Sequence, residues 1–179
     1  MKSLIEKKIN STCVLKGAVN FINDVVELPN GKTATRMYID HPGAVAIVPF
    51  LSKKKVILLK QYRYPVGKTI LEFPAGKLDR GESPLACARR ELLEETGYYP
   101  KKIKKFTSYW PTAAFCTETL HIYKAWDLEA RTPGTQDPDE FLEMMEVNFD
   151  QVIEWIRIGK ILDSKTVVAA LALKCFKLV

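Results

Sequence analysis

The chain lacks any run of about 18 apolar residues, which excludes a membrane-spanning helix. It also lacks repeats and low-complexity tracts, so a repeat architecture is excluded. Cysteine is scarce: Cys13, Cys87, Cys116 and Cys175 are widely spread and show none of the paired spacings of a zinc site, so buried or idle thiols are expected. The opening residues, MKSLIEKKIN, carry charge where a secretory signal needs its apolar core, and a cytoplasmic protein is expected. The net charge is +6, yet the lysines fall into separate groups, Lys53 to Lys55 in one turn and Lys101, Lys102, Lys104 and Lys105 in another segment. No aromatic residues interleave with them, so no nucleic-acid surface is expected. The positive excess instead favours attraction of phosphate-bearing substrates.

What is present is ordinary globular material, 47% hydrophobic and 27% charged over 179 residues. That length suits one domain with a substantial core, or one domain with a small appendage. The first 42 residues read as antiparallel strands, and the Pro-Asn-Gly signal inside VVELPNGKTATRMYI marks a hairpin. AVAIVPFL and VILLKQYRY, separated by the Lys53 to Lys55 turn, are rich in β-branched residues and able to pair. TILEFPAG adds a short strand ending at Pro74. Further along, KKIKKFTSYW and TLHIYKAWDL read as strands flanking the loop PTAAFCTE, ARTPGTQDPDE as a long polar loop, and FLEMMEVNF as a last strand. Two helices close the chain, DQVIEWIRIGK and DSKTVVAALALKCFKL, the second capped by Asp163 or Ser164. This order predicts an α+β or mixed α/β sandwich with helices covering a sheet.

Between these halves the spacing predicts a helix over 84–96. Ser83 supplies a side-chain cap, Pro84 fits the first turn, and Gly97 is the matching stop. Leu85, Leu92 and Thr96 share one side and are expected to pack, while Glu91, Glu94 and Glu95 fall within an arc of about 100° on another. Glu91 and Glu95, four apart and of like sign, cost the isolated helix about 0.2 to 0.5 kcal/mol. A hard cation such as Mg2+ would turn that repulsion into attraction. The plainer account is a solvated helix face with Arg90 and Glu94 as an i,i+4 pair.

Neighbouring residues favour the first account. Gly76, five residues, Glu82, seven residues, then Arg90, Glu91, Leu92, Glu94, Glu95, Gly97 and the apolar Tyr98 resemble the Nudix box, matching every defined position across 23 residues. Nudix enzymes hydrolyse a nucleoside diphosphate linked to another moiety. The stretches YIDHPGA, QYRYPVGKTILEFPAGKLDRGE and DPDEFLEMMEV, with the Asp-initiated last helix, are similar to the bacterial ADP-ribose pyrophosphatase and nucleoside diphosphate sugar hydrolase branch. The resemblance implies an αβα Nudix sandwich with a mixed sheet over residues 43–179, preceded by a small antiparallel β region, residues 1–42, that forms a homodimer.

It also implies Mg2+, with Mn2+ as the alternative, held by Glu91, Glu95 and the backbone carbonyl of Ala75. Glu94 would be a further or water-mediated ligand, Arg90 would hold the glutamates by ion pairing, and Glu82 would support the cluster. The general base would come from the acidic loop before the last strand, Glu140 first and Asp139 second. Arg63 resembles an arginine that meets substrate phosphates, Glu72 a pocket glutamate beside them, and Arg36 a residue reaching the partner's pocket. Glu118 would bind the sugar side, and Tyr38, Tyr109 and Trp110 are candidates for base stacking with packing as their plainer role. One departure stands out. Pro111 is followed by Thr-Ala-Ala-Phe-Cys-Thr rather than by the branch's usual glycine, so that turn is expected to cost something, and GDP-mannose or another nucleotide sugar becomes an alternative to ADP-ribose. A dinucleoside polyphosphate or coenzyme hydrolase and a non-catalytic nucleotide sensor are the remaining alternatives.

Overall fold

The computed structural model describes residues 4–132 and 141–178. Strands β1 (Lys7–Leu15), β2 (Asn20–Glu27) and β3 (Thr33–Asp40) form an antiparallel meander with the expected hairpin between the last two. β4 (Ala44–Pro49) is buried along its whole length, as a strand covered on both faces must be. β5 (Lys55–Arg63) and β6 (Lys68–Glu72) are joined by a 3-10 turn, and β7 (Ala75–Lys77) follows after Phe73 and Pro74. Helix α1 (Pro84–Thr96), strands β8 (Tyr98–Tyr109), β9 (Leu120–Ala130) and β10 (Leu142–Asn148), and helices α2 (Phe149–Arg157) and α3 (Ser164–Cys175) complete the chain.

β4 and β5, though able to pair, lie in different sheets. β4 lies in a mixed sheet ordered β7-β4-β9-β8, parallel to β9, whereas β5 is the centre of an antiparallel sheet ordered β10-β5-β6. The two share only an isolated bridge, Phe50 to Val56. The Phe50 N–H donates to the Ala125 carbonyl, keeping the chain on β9, and the Ser52 hydroxyl accepts from the Lys54 and Lys55 N–H groups in a turn that redirects the chain. Both strands are apolar on two faces, so each becomes a central strand with its own neighbours.

Alternation along β4 divides the core. Val45 and Ile47 pack with Cys87, Ala88 and Leu92 of α1. Ala44, Ala46 and Val48 face a larger cluster containing Phe73, Val152 of α2, and Ala169, Ala170 and Leu173 of α3. Helices therefore cover both faces of the sheet, the αβα arrangement.

Helix α1 spans the expected residues, with the Ser83 hydroxyl accepting from the Ala86 N–H and Gly97 in the left-handed region at φ 72°. Its packing face keeps the expected Leu92 but is otherwise turned from the expected line. Leu85 is 40% exposed, and the buried positions are Cys87, Ala88, Leu92 and Glu95. The helix is rotated so that small residues meet β4, which brings Glu95 inward against β7.

The turn after Pro111 is made without strain. The Phe115 and Cys116 N–H groups both reach the Thr112 carbonyl, and the non-glycine residues of positive φ among those described are Asp127 and Lys177, outside this loop. The expected cost of the missing glycine is avoided because the chain takes a right-handed turn instead. The same loop docks on β3: the Ile39 N–H donates to the Phe115 carbonyl at 2.8 Å and the Thr117 N–H to the Ile39 carbonyl at 2.9 Å. Among the described residues no helix is long and apolar enough to cross a membrane.

Candidate functional site

The site begins where the chain passes from one sheet to the other. Glu72 ends β6 and Ala75 starts β7, and the two residues between are anchored from opposite sides. The Phe73 N–H donates to the Thr166 hydroxyl at 2.9 Å, and the Pro74 carbonyl accepts from the Ile47 N–H at 2.8 Å. Buried backbone groups are thus satisfied outside the strand ladders, and Glu72, Ala75 and Gly76 become a fixed edge beside α1.

Gly76 is there because Glu91 is. A Cβ built on Gly76 would stand 1.9 Å from the Glu91 carboxyl carbon, so only glycine admits that carboxylate against the strand. Glu95, from the next turn, accepts a hydrogen bond from the Ala75 N–H at 2.9 Å and is 7% exposed.

Arg90 gathers the remaining carboxylates. Its Nε and Nη2 donate to the two oxygens of Glu82 at 3.0 and 2.9 Å, a bidentate fork, and Nη1 donates to Glu91 at 2.9 Å and Glu94 at 3.0 Å. Nη2 also reaches the Lys77 carbonyl. The Arg90 fork holds the Glu82 carboxyl below its ordinary value, and the same hydrogen bond raises Arg90 further into its charged form. Cys87, the buried thiol, is pushed up by burial and by Glu91 and Glu82, so it stays neutral; Cys13 and Cys175 are exposed and Cys116 is half-buried.

Glu82, Glu91, Glu94 and Glu95 thus bring four carboxylates to a glycine-lined edge, the first three sharing Arg90 as their cation and Glu95 held by the Ala75 N–H. That all-oxygen, charge-rich set suits a hard divalent cation. Among the described residues no three His, Cys, Asp or Glu side chains converge as a ready-made cage. Glu91 and Glu94 are turned onto Arg90 instead, so a cation would compete with the guanidinium for them. The Glu91 carboxylate fills the space a Gly76 Cβ would take and Glu95 is turned inward against Ala75, so two carboxylates four residues apart are held at one strand edge, and on that ground the residues fit the group.

A second cluster adjoins the first. Arg63, at the end of β5, donates from Nε and Nη2 to both oxygens of Glu72 at 3.0 Å, and Glu72 is 1% exposed. Burial of Arg63 works against its charge, but Glu72, with Asp163 and Glu95 nearby, raises it overall. Lys165 of α3 also donates to Glu72, and to Asp163 at 2.9 Å; Asp163 caps α3 through the Thr166 N–H and hydroxyl. Sequence reading saw Asp163 only as a cap and missed Lys165 and Thr166. One signal was available: a lysine in the first turn opposes the helix dipole, so a fixed counter-ion had to be near.

The other expected residues are more scattered. Glu118 is half-buried after the docked loop, and with Asp163 it adds to the burial that pushes the Tyr109 hydroxyl up to about 12. Tyr109 packs against the larger core, Trp110 is 69% exposed, and Tyr38 donates to Asp24 within the N-terminal sheet. Arg36 lies on β3 and forks onto Glu6 of the same chain. Asp139 and Glu140 lie outside the described residues. A surface cavity of about 400 Å3 lined by Phe50, Ser52, Lys53, Lys124 and Trp126 shares no residue with either cluster.

A mixed αβα sandwich carrying a glycine loop, an arginine-clasped acidic helix and a glutamate turned onto the preceding strand defines a loop-helix-loop hydrolase. The chain belongs to the Nudix family: the family model described as NUDIX domain matches residues 40–168. It is 41% identical over 172 residues to the ADP-ribose pyrophosphatase of Bacillus subtilis (strain 168), covering 94% of this chain and 92% of that protein. It is 40% identical over 166 residues to the methanol dehydrogenase activator of Bacillus methanolicus, covering 92% and 90%. The fold is that of a crystal structure described as an ADP compounds hydrolase, with a TM-score of 0.84, 21% identity, and 98% and 96% of the two chains covered.

Proposed function

We propose that this Nudix hydrolase splits the pyrophosphate bond of ADP-ribose and related nucleoside diphosphate sugars, giving a nucleoside monophosphate and a sugar phosphate, with Mg2+ as cofactor and Mn2+ as a substitute. The observation that carries the reading is the set of Glu82, Glu91 and Glu94 gathered around Arg90, with Glu95 on the Ala75 N–H, at the Gly76 edge. The extensive identity with the Bacillus subtilis ADP-ribose pyrophosphatase supports the substrate class.

When bound, a divalent ion supplies neutralisation of phosphate oxygens and acidification of water. Glu91, Glu95 and the Ala75 carbonyl hold it, with Glu94 as a direct or water-mediated ligand. Arg90 keeps Glu82 and Glu94 in place, and Glu91 would be shared between Arg90 and the ion. Arg63 binds the diphosphate, Glu72 is the pocket glutamate beside it that orients Arg63, Glu118 meets the sugar side, and Glu140, or Asp139 in its place, accepts the proton from the attacking water. Residues 1–42 form the dimer interface, with residues 43–179 as the hydrolase domain, and Arg36 reaches the partner's pocket. The exposed Leu4, Ile5, Ile9, Val14 and Leu15 around β1 support a homodimer, since so many apolar side chains together mark an interaction surface. The protein is assigned to the cytoplasm, with neither nucleic acid nor a membrane as partner.

Incubation with ADP-ribose, GDP-mannose, other nucleotide sugars, dinucleoside polyphosphates and coenzymes, with Mg2+ and chromatographic resolution of products, tests the reading. Fastest turnover of a nucleoside diphosphate sugar is expected, and turnover of none of them would sink it. The likeness to the Bacillus methanolicus activator supports a second reading, in which the chain modulates a dehydrogenase. Stimulation of a dehydrogenase by the wild type and equally by Glu95→Gln would favour that reading over hydrolysis.

A further inference from the structure

Glu72 has two counter-ions of unequal freedom. Its side chain is 2% exposed, so it cannot turn to solvent, and Arg63 and Lys165 both contact it. The Arg63 side chain is 39% exposed, at the rim, whereas Lys165 is 15% exposed and is itself fixed by Asp163 at 2.9 Å. Asp163 is fixed in turn by the Thr166 N–H and hydroxyl, and Thr166 by the Phe73 N–H, one residue from Glu72. The chain of contacts closes on itself, and Arg63 is its open end.

We propose that Lys165 is a positioning residue: it remains on Glu72 as the permanent counter-ion so that Arg63 can leave Glu72 for a substrate phosphate. This rests on the proposed binding of a nucleoside diphosphate by Arg63. A buried carboxylate with a single cation holds that cation tightly, because separating the pair would strand a charge in a poorly solvated place. With Lys165 present, Glu72 keeps a partner when Arg63 moves. Without it, Arg63 is captured by Glu72 and the diphosphate binds less well.

The test compares Lys165→Met and Lys165→Arg in the wild-type and Arg63→Ala backgrounds, measuring kcat and KM for ADP-ribose with Mg2+, with thermal melts to establish folding. In the wild-type background Lys165→Met is expected to raise KM about tenfold with kcat within about twofold, and Lys165→Arg to restore most of the loss. In the Arg63→Ala background, with Glu72→Gln added so that loss of both cations strands no buried charge, Lys165→Met should change KM by less than about twofold, because there is no arginine left to capture. An equal KM factor in both backgrounds, an unchanged KM, or a fall in kcat alone would overturn the inference, since a merely structural lysine acts alike with or without Arg63. If Lys165→Met is unfolded at the assay temperature, Lys165→Gln is held to the same criteria. If the wild type hydrolyses no nucleotide sugar, the proposed function fails on its own. The same variants are then compared by calorimetric affinity for ADP, where loss confined to the Arg63 background upholds the inference and any other pattern ends it.

Discussion

Gly76 and Glu91 occupy one space: the Glu91 carboxyl carbon lies 1.9 Å from where a Gly76 side chain would begin. The atoms in conflict are the far end of a flexible side chain, so a larger residue displaces Glu91 rather than the backbone. Gly76→Ala is therefore expected to lower stability by only about 1 to 2 kcal/mol. The hydrolytic rate should fall on the order of a hundredfold, because a reacting group misplaced by an ångström costs about that much. Denaturant unfolding and initial rates on the same preparation separate the effects; a large stability loss with normal residual rates would contradict this account.

Glu95→Gln gives the opposite signature. The glutamine amide oxygen can still accept from the Ala75 N–H, so the local fold is kept, while the removed charge is both repelled by neighbouring carboxylates and attracted by Arg63. The melting temperature should change little, and turnover should drop at least about a hundredfold, the upper end of what loss of even an outer-shell partner of a metal site costs. A variant with near-normal turnover would remove Glu95 from the proposed ligand set.

Arg90 is expected to be irreplaceable by lysine. Its planar fork serves both oxygens of Glu82 while its other arm serves Glu91 and Glu94, a geometry a single ammonium cannot reproduce. Arg90→Lys and Arg90→Met should each cost about 1 to 3 kcal/mol in chemical denaturation. Full stability in Arg90→Lys would show that charge alone suffices.

Acid should loosen the same cluster through Glu82. The Arg90 fork depresses the Glu82 carboxyl in the folded state below the ordinary value of 4.5. Its contribution is therefore present above that value and is lost as pH falls through the lower, folded one. Unfolding midpoints measured downward from pH 6 should fall less steeply in Glu82→Gln than in the wild type. Parallel curves would assign the acid sensitivity to other groups.

The N-terminal sheet carries a prediction about size. Light scattering should return twice the 20.3 kDa chain mass for the wild type. Ile5→Glu combined with Ile9→Glu, which places charge among the exposed apolar side chains on and just before β1, should return the single-chain mass. A wild-type mass of one chain would refute the proposed dimer.

Local signals in the sequence were strong where one short stretch contains all the determinants. Helix α1 was legible to the residue because Ser83, Pro84 and Gly97 bracket it, and Gly76 was legible by its place in the box. What escaped depends on partners distant in sequence. The pairing of β4 with β9 rather than β5 brings together residues separated by α1 and β8, and nothing local distinguishes two β-branched strands that could be neighbours. The rotation of α1 that exposes Leu85 and buries Glu95 was settled by the fit of Cys87 and Ala88 against β4. Lys165 reaches Glu72 across 93 positions, a distance at which only a first-turn lysine hinted at a carboxylate.

The passage from β6 to β7 through Phe73 and Pro74 places Glu72 and Ala75, three residues apart, in different sheets. The two halves of the proposed site therefore sit on opposite banks of a seam, one set by the Arg63 cluster and the other by the acidic helix. Sliding of one sheet past the other by a fraction of an ångström would detune the distance between diphosphate and carboxylates while leaving both cores packed. Turnover should consequently fade in mild urea before circular dichroism changes, which makes the enzyme a gauge of its own internal alignment.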